Sequence, residues 1–132
     1  MKHHYYLFIC LLFFISCNDK EKSVAINQPT RDISLIQREI FQGDTSAYLE
    51  LRNFYLDDFS GDFLFWALYM SNKHDYSKAH YDVFEKLVIS YVGDITKFND
   101  MDEQTKRFAK EYLLKAIKSG HKEAEDALKL IE

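Results

Sequence analysis

Proline and cysteine are nearly absent from this chain of 132 residues, which holds one Pro, two Cys and only four Gly. So few thiols exclude a disulfide-stapled scaffold, and glycines this scattered exclude a Gly-rich phosphate-binding loop. A basic surplus is missing as well. Seventeen Lys and Arg stand against 21 Asp and Glu, a net charge of −4, which argues against an electrostatic grip on nucleic acid. What the chain does have is apolar mass: 47% hydrophobic and 16% aromatic residues, enough to pack one core at single-domain length.

The apolar residues first gather at the start. Behind Lys2, Tyr5 to Ile15 form an eleven-residue apolar and aromatic run, the pattern of a secretory signal peptide. A bilayer-crossing helix needs about 20 residues, so a permanent transmembrane anchor is the weaker reading. A Cys10 to Cys17 disulfide is the bland alternative for the two thiols, and a spacing of seven inside an export signal speaks against it.

Phe14-Ile15-Ser16-Cys17 resembles the lipobox of bacterial lipoproteins. The resemblance implies cleavage between Ser16 and Cys17, with Cys17 acylated and seated in the bilayer. Several acyl chains at about 0.8 kcal/mol per buried CH₂ form an anchor that hardly dissociates. Residues 1–16 are then a signal peptide, and removing them from 132 leaves 116. Residues 17–31 read as the lipidated Cys and a flexible tether, polar and holding the only Pro. Asp19-Lys20-Glu21-Lys22 partly resembles the acidic run of some Bacteroidota lipoproteins, which implies an origin there and leaves both faces of the outer membrane open.

From Asp32 to the end the apolar spacing is helical. Ile33, Ile36 and Ile40 mark one segment; Ala47, Leu51, Phe54 and Tyr55 mark the next after Gly43. Ala79, Val83, Leu87, Val88 and Tyr91 predict a helix over 76–92, and Phe108, Ala109, Tyr112, Leu113, Ala116 and Ile117 give the cleanest stripe. Gly120 closes that helix, and Ala124, Ala127, Leu128 and Ile131 begin another. The run Phe63 to Met70 is apolar all round and reads as helix or strand by periodicity. A lone strand would leave its backbone unmatched, so a central helix over 62–73 is expected. Polar residues over 93–101 read as a loop.

Ala47-x3-Leu51, Ala79-x3-Val83 and Ala124-x3-Leu128 repeat at intervals of 32 and 45 residues. Ala109-x2-Tyr112-Leu113-x-Lys115-Ala116-Ile117-x2-Gly120-His121-x-Glu123-Ala124-x3-Leu128 resembles the junction between units of the Sel-one-like branch of tetratricopeptide-type repeats, and Gly43-Asp44-x2-Ala47-x3-Leu51-x3-Tyr55 resembles the start of a unit. The resemblance implies an all-α stack of helix-turn-helix pairs over 32–132, in which Ala47, Leu51, Ala79, Val83, Ala116, Gly120, Ala124 and Leu128 pack one unit on the next. It also implies a module that binds proteins or peptides, in a family that rarely catalyses anything.

Catalytic chemistry is sparse. Cys10 leaves with the signal and Cys17 is consumed by lipid, so no thiol nucleophile is expected, and Ser60-Gly61 sits in no Gly-x-Ser-x-Gly context. His74, His80 and His121 are read as solvent-facing or capping residues rather than metal ligands, and no cofactor is expected. The acidic groups Asp57-Asp58-Asp62 and Asp94-Asp100-Asp102-Glu103 lack the alternation of a calcium loop. Asp44, Asp75 and Asp102 stand where helices should start and can accept from free backbone N–H groups.

Aromatics are the surplus. Phe54, Trp66, Phe84, Phe108 and Tyr112 are assigned to the core, while Tyr48, Phe59, Tyr76 and Tyr81 lie beside the stripes and are candidates for a partner-binding surface. The reading is therefore a non-enzymatic, lipid-anchored envelope protein that binds an unknown protein, in its sharper form an immunity protein whose acidic face suits a basic toxin. An envelope assembly or scaffolding lipoprotein is the alternative. A hydrolase is a remote third and requires Asp57, Asp58, Asp62, His74 and Glu85 to converge in a pocket.

Overall fold

A computed structural model of the chain describes residues 31–56 and 62–132. The signal peptide, Ser16, Cys17, the tether up to residue 30, and Asp57, Asp58 and Phe59 lie outside the described residues. Among the described residues every element is helical: α1 (Ile33–Phe41), α2 (Thr45–Phe54), α3 (Asp62–His74), α4 (Ser77–Val92), a 3₁₀ segment (Ile95–Asp100), α5 (Glu103–Lys118) and α6 (Lys122–Ile131). The apolar run at Phe63 to Met70 is thus helix. It buries Phe63, Trp66, Ala67 and Met70.

Three junctions between helices share a geometry. Gly43 (φ 87°), Asp75 (φ 50°) and Gly120 (φ 78°) are left-handed, and each is followed at once by the residue that starts the next helix, Asp44, Tyr76 or His121. The Gly43 and Gly120 N–H groups donate to the carbonyls of Ile40 and Ile117. The next N–H groups reach back to Glu39 and Ala116, closing the last turn as a Schellman motif does. Four residues beyond each left-handed residue stands a fully buried alanine: Ala47, Ala79 and Ala124. Asp75 departs from its expected role. With its backbone left-handed it cannot cap α4; its carboxylate instead lies 2.9 Å from His80 Nε2.

Side-chain contacts sort the helices into two layers. Tyr48 of α2 donates to Asp82 of α4 at 2.7 Å, and the Tyr81 ring of α4 lies 4.9 Å from the His121 ring before α6. In the other layer Phe41 of α1 meets Trp66 of α3 at 5.3 Å, and Tyr112 of α5 donates to Asn72 of α3 at 3.0 Å. Between the layers lie Ile36, Ile40, Leu51, Phe63, Met70, Val83, Phe84 and Leu113, all nearly inaccessible. Ala116 is fully buried too, so two helix axes approach closely there.

Three local expectations are corrected. The polar stretch at 93–101 is not a plain loop, because Asp94 accepts from the Thr96 N–H and the 3₁₀ turn that follows presses Phe98 and Met101 into the core. Phe108 is 40% exposed: the buried stripe of α5 centres on Ala109, Leu113 and Ala116, and Phe108 stands about 100° away from Ala109. Phe54 is only half-buried. Among the described residues no helix is long and apolar enough to cross a membrane.

Candidate interaction site

Among the described residues, the α2/α4/α6 layer carries the one aspartate taken into the core. Asp82 is 1% exposed and accepts from Tyr48 Oη, from Arg52 Nε at 2.9 Å and from Lys78 Nζ one turn earlier on α4. Desolvating a carboxylate costs several kcal/mol unless good partners offset it, and three donors, two of them cationic, do so here. Burial, and then the neighbouring Asp82 charge, push the Tyr48 phenol far above its ordinary value, so it stays a donor at any working pH. Burial works against the Arg52 charge, but Asp82 and Glu85 outweigh it and hold the guanidinium raised.

Beside this network opens a cavity of about 190 Å³. Tyr55, Leu56, Phe63 and Ile89 form apolar walls; Arg52, Asp82, Glu85 and Lys86 form a charged end. The polar groups are mutually engaged, with Arg52 Nη2 donating to Glu85 at 3.2 Å and Lys86 Nζ to the Tyr55 carbonyl at 3.2 Å. Such a pocket can receive one side chain that is apolar along its length and polar at its tip.

The four proposed surface aromatics fare differently. Tyr48 is corrected: it is fully inaccessible, packed against Phe63 at 5.3 Å and the Tyr76 edge at 5.6 Å, because its hydroxyl is the donor that Asp82 needs. Tyr76 and Tyr81 are half-buried on the same layer, and burial raises both phenols. Phe59 lies outside the described residues. Arg52 and Asp82 were not singled out by sequence reasoning. The available signal was an acid at Asp82 between Ala79 and Val83 on an apolar stripe, one turn after Lys78.

Of the carboxylates and histidine required for hydrolysis, Glu85 lines the cavity, while Asp62 and His74 stand at opposite ends of α3, about 18 Å apart, and do not converge. The histidines are not simply solvent-facing. His80 is 2% exposed, with Nδ1 2.6 Å from Ser71 Oγ and Nε2 against Asp75, because α4 turns it into the α3 interface. His74 lies under Gly43, and its buried Nε2 has no hydrogen-bond partner among the described residues. His121 is held below its ordinary pKa, mainly by burial. Among the described residues no group of three or more His, Cys, Asp or Glu is placed to hold a metal ion.

These features define an all-α protein with a polar-ended cavity on one layer. No family model, no curated protein and no solved structure matches the chain.

Proposed function

We propose that this protein is a lipid-anchored interaction module of the bacterial envelope, acting by binding and not by turnover. Cys17 carries the acyl chains, the following residues tether the fold, and a short stack of Sel-one-like helix pairs presents its α2/α4/α6 layer to a protein partner. The observation that carries this reading is the cavity with apolar walls and an ion-paired end, whose Glu85 lies one turn after Tyr81 on α4. It has the form of a socket for a single anchoring side chain, the feature that dominates binding energy at protein interfaces. The repeat reading draws support from the three left-handed residues that each precede a buried alanine by four positions.

A photo-crosslinking residue in place of Tyr81, introduced into cells, should trap one discrete membrane-associated protein, and Leu56→Asp, at an exposed wall of the cavity, should abolish the adduct while the helical circular dichroism persists. An adduct from a probe at Lys73, on α3 of the other layer, but none from Tyr81 would refute the assignment of the face. An intact, unmodified start of the chain by mass spectrometry would refute the anchor.

A further inference from the structure

We infer that the opposite layer rests on the lipid bilayer, through the C-terminal end of α1 and the outer face of α3. Phe41 and Phe65 are 48% and 55% exposed, large apolar rings standing in solvent. They flank Trp66 and Tyr69: Phe41 meets Trp66 at 5.3 Å and Tyr69 at 5.0 Å, and Phe65 meets Trp66 at 5.0 Å. Tyr69 Oη is fixed on the Phe41 carbonyl at 3.1 Å, so the cluster is ordered before anything covers it. A shallow depression continues from it, lined by Phe65, Leu68, Tyr69, Asn72 and Lys73. Phe and Tyr rings edged by amide and lysine are side chains that settle at a membrane–water boundary.

Area separates the bilayer from a protein occupant. The two exposed rings offer on the order of 200 Å², far short of the roughly 800 Å² per partner of a stable protein interface. A weak patch suffices only where its target is already held nearby, and here the inference rests on the reading of Cys17 as acylated. Arg31 lies 14 residues after Cys17, and a chain of that length reaches at most about 50 Å. They enter the fold at Arg31, whose guanidinium is bonded to Glu39 and Glu50. From there α1 covers about 14 Å and ends at Phe41. The tether thus holds the bilayer at high effective concentration near the fold, and with the aromatic patch seated on it the α2/α4/α6 layer is turned outward. Lys73 is the one charged residue lining the depression, so contact should not require anionic lipid.

Trp66 is the only tryptophan of the chain and, 8% exposed, lies just beneath the Phe41 and Phe65 rings, so its emission reports the contact at short range. The lipidated protein, purified and reconstituted into neutral phosphatidylcholine vesicles containing a bromine-labelled phosphatidylcholine, should lose at least half of its Trp66 emission. Phe41→Ser with Phe65→Ser should restore it with the helical circular dichroism unchanged, and Phe65→Ser alone should restore part. Lipid on Cys17 by mass spectrometry with Trp66 unquenched overturns this inference and leaves the anchor standing. An unlipidated Cys17 overturns both. Unquenched Trp66 in a chain that is dimeric in buffer, with the dimer lost in Phe65→Ser, would assign the face to a second copy instead.

Discussion

Asp82 is where the physical cost of this fold is concentrated. The phenol of Tyr48 donates to its carboxylate inside the core, whereas Arg52 and Lys78 approach from the half-exposed rim. Tyr48→Phe removes one donor to a charged acceptor and should lower stability by about 2 kcal/mol. Asp82→Ala strips the counter-charge from Arg52 and the acceptor from the phenol and should lose about 3 kcal/mol. The two changes share one interaction, so the double variant should be scarcely less stable than Asp82→Ala alone in urea denaturation; additive losses would show that the bond is not made. Periodicity could not reveal this pair. It sorts residues by face, and a tyrosine beside the Ala47/Leu51 stripe looks the same whether its hydroxyl meets water or a buried acid. Only the approach of α4 to α2, a contact 34 residues apart in sequence, decides between them.

At the scale of elements the helices were legible wherever one face was apolar and the other wet, as on α5, with Arg107, Glu111 and Lys118 exposed. α3 has no such contrast, because its outward side carries Phe65, 55% exposed, as well as polar residues, and its state followed from backbone accounting instead. The segment at 93–101 was read as loop because its two core residues, Phe98 and Met101, are three apart and too few to make a stripe. The junctions were legible where glycine marks them, at Gly43 and Gly120, but not at Asp75. The two glycines are not equivalent. A Cβ at Gly120 meets open space, so Gly120→Ala should cost only the left-handed backbone, about 1 kcal/mol. A Cβ at Gly43 would lie 2.6 Å from His74 Nδ1, in a ring packed on Tyr69, so Gly43→Ala should cost about 3 kcal/mol. In a His74→Ala background the Gly43→Ala loss should fall to that of Gly120→Ala. If thermal unfolding shows equal losses for the two glycine variants in the native background, the close approach is not what demands glycine there.

Across the whole molecule the packing is uneven, and the unevenness predicts how the fold opens. α4 is enclosed: α3 and α5 pack along it, the 3₁₀ segment closes its end, and Tyr48 and Arg52 reach it from α2. It buries Ala79, His80, Asp82, Val83, Phe84 and Val88, the longest set of any helix here. α1 and α6 lie at the two ends of the array; α1 buries two side chains and α6 three. In a stack whose members touch mainly their neighbours, end elements open without the centre, whereas the centre opens only with global unfolding. Amide hydrogen exchange should therefore proceed first through α6 and α1, and last through Val83 to Val88. In urea well below the unfolding midpoint, exchange in α6 should stay insensitive to denaturant, while exchange in α4 should follow the global transition. Equal protection of α1, α4 and α6 would mean that the two layers form one indivisible core, and the image of stacked, nearly independent pairs would have to be given up.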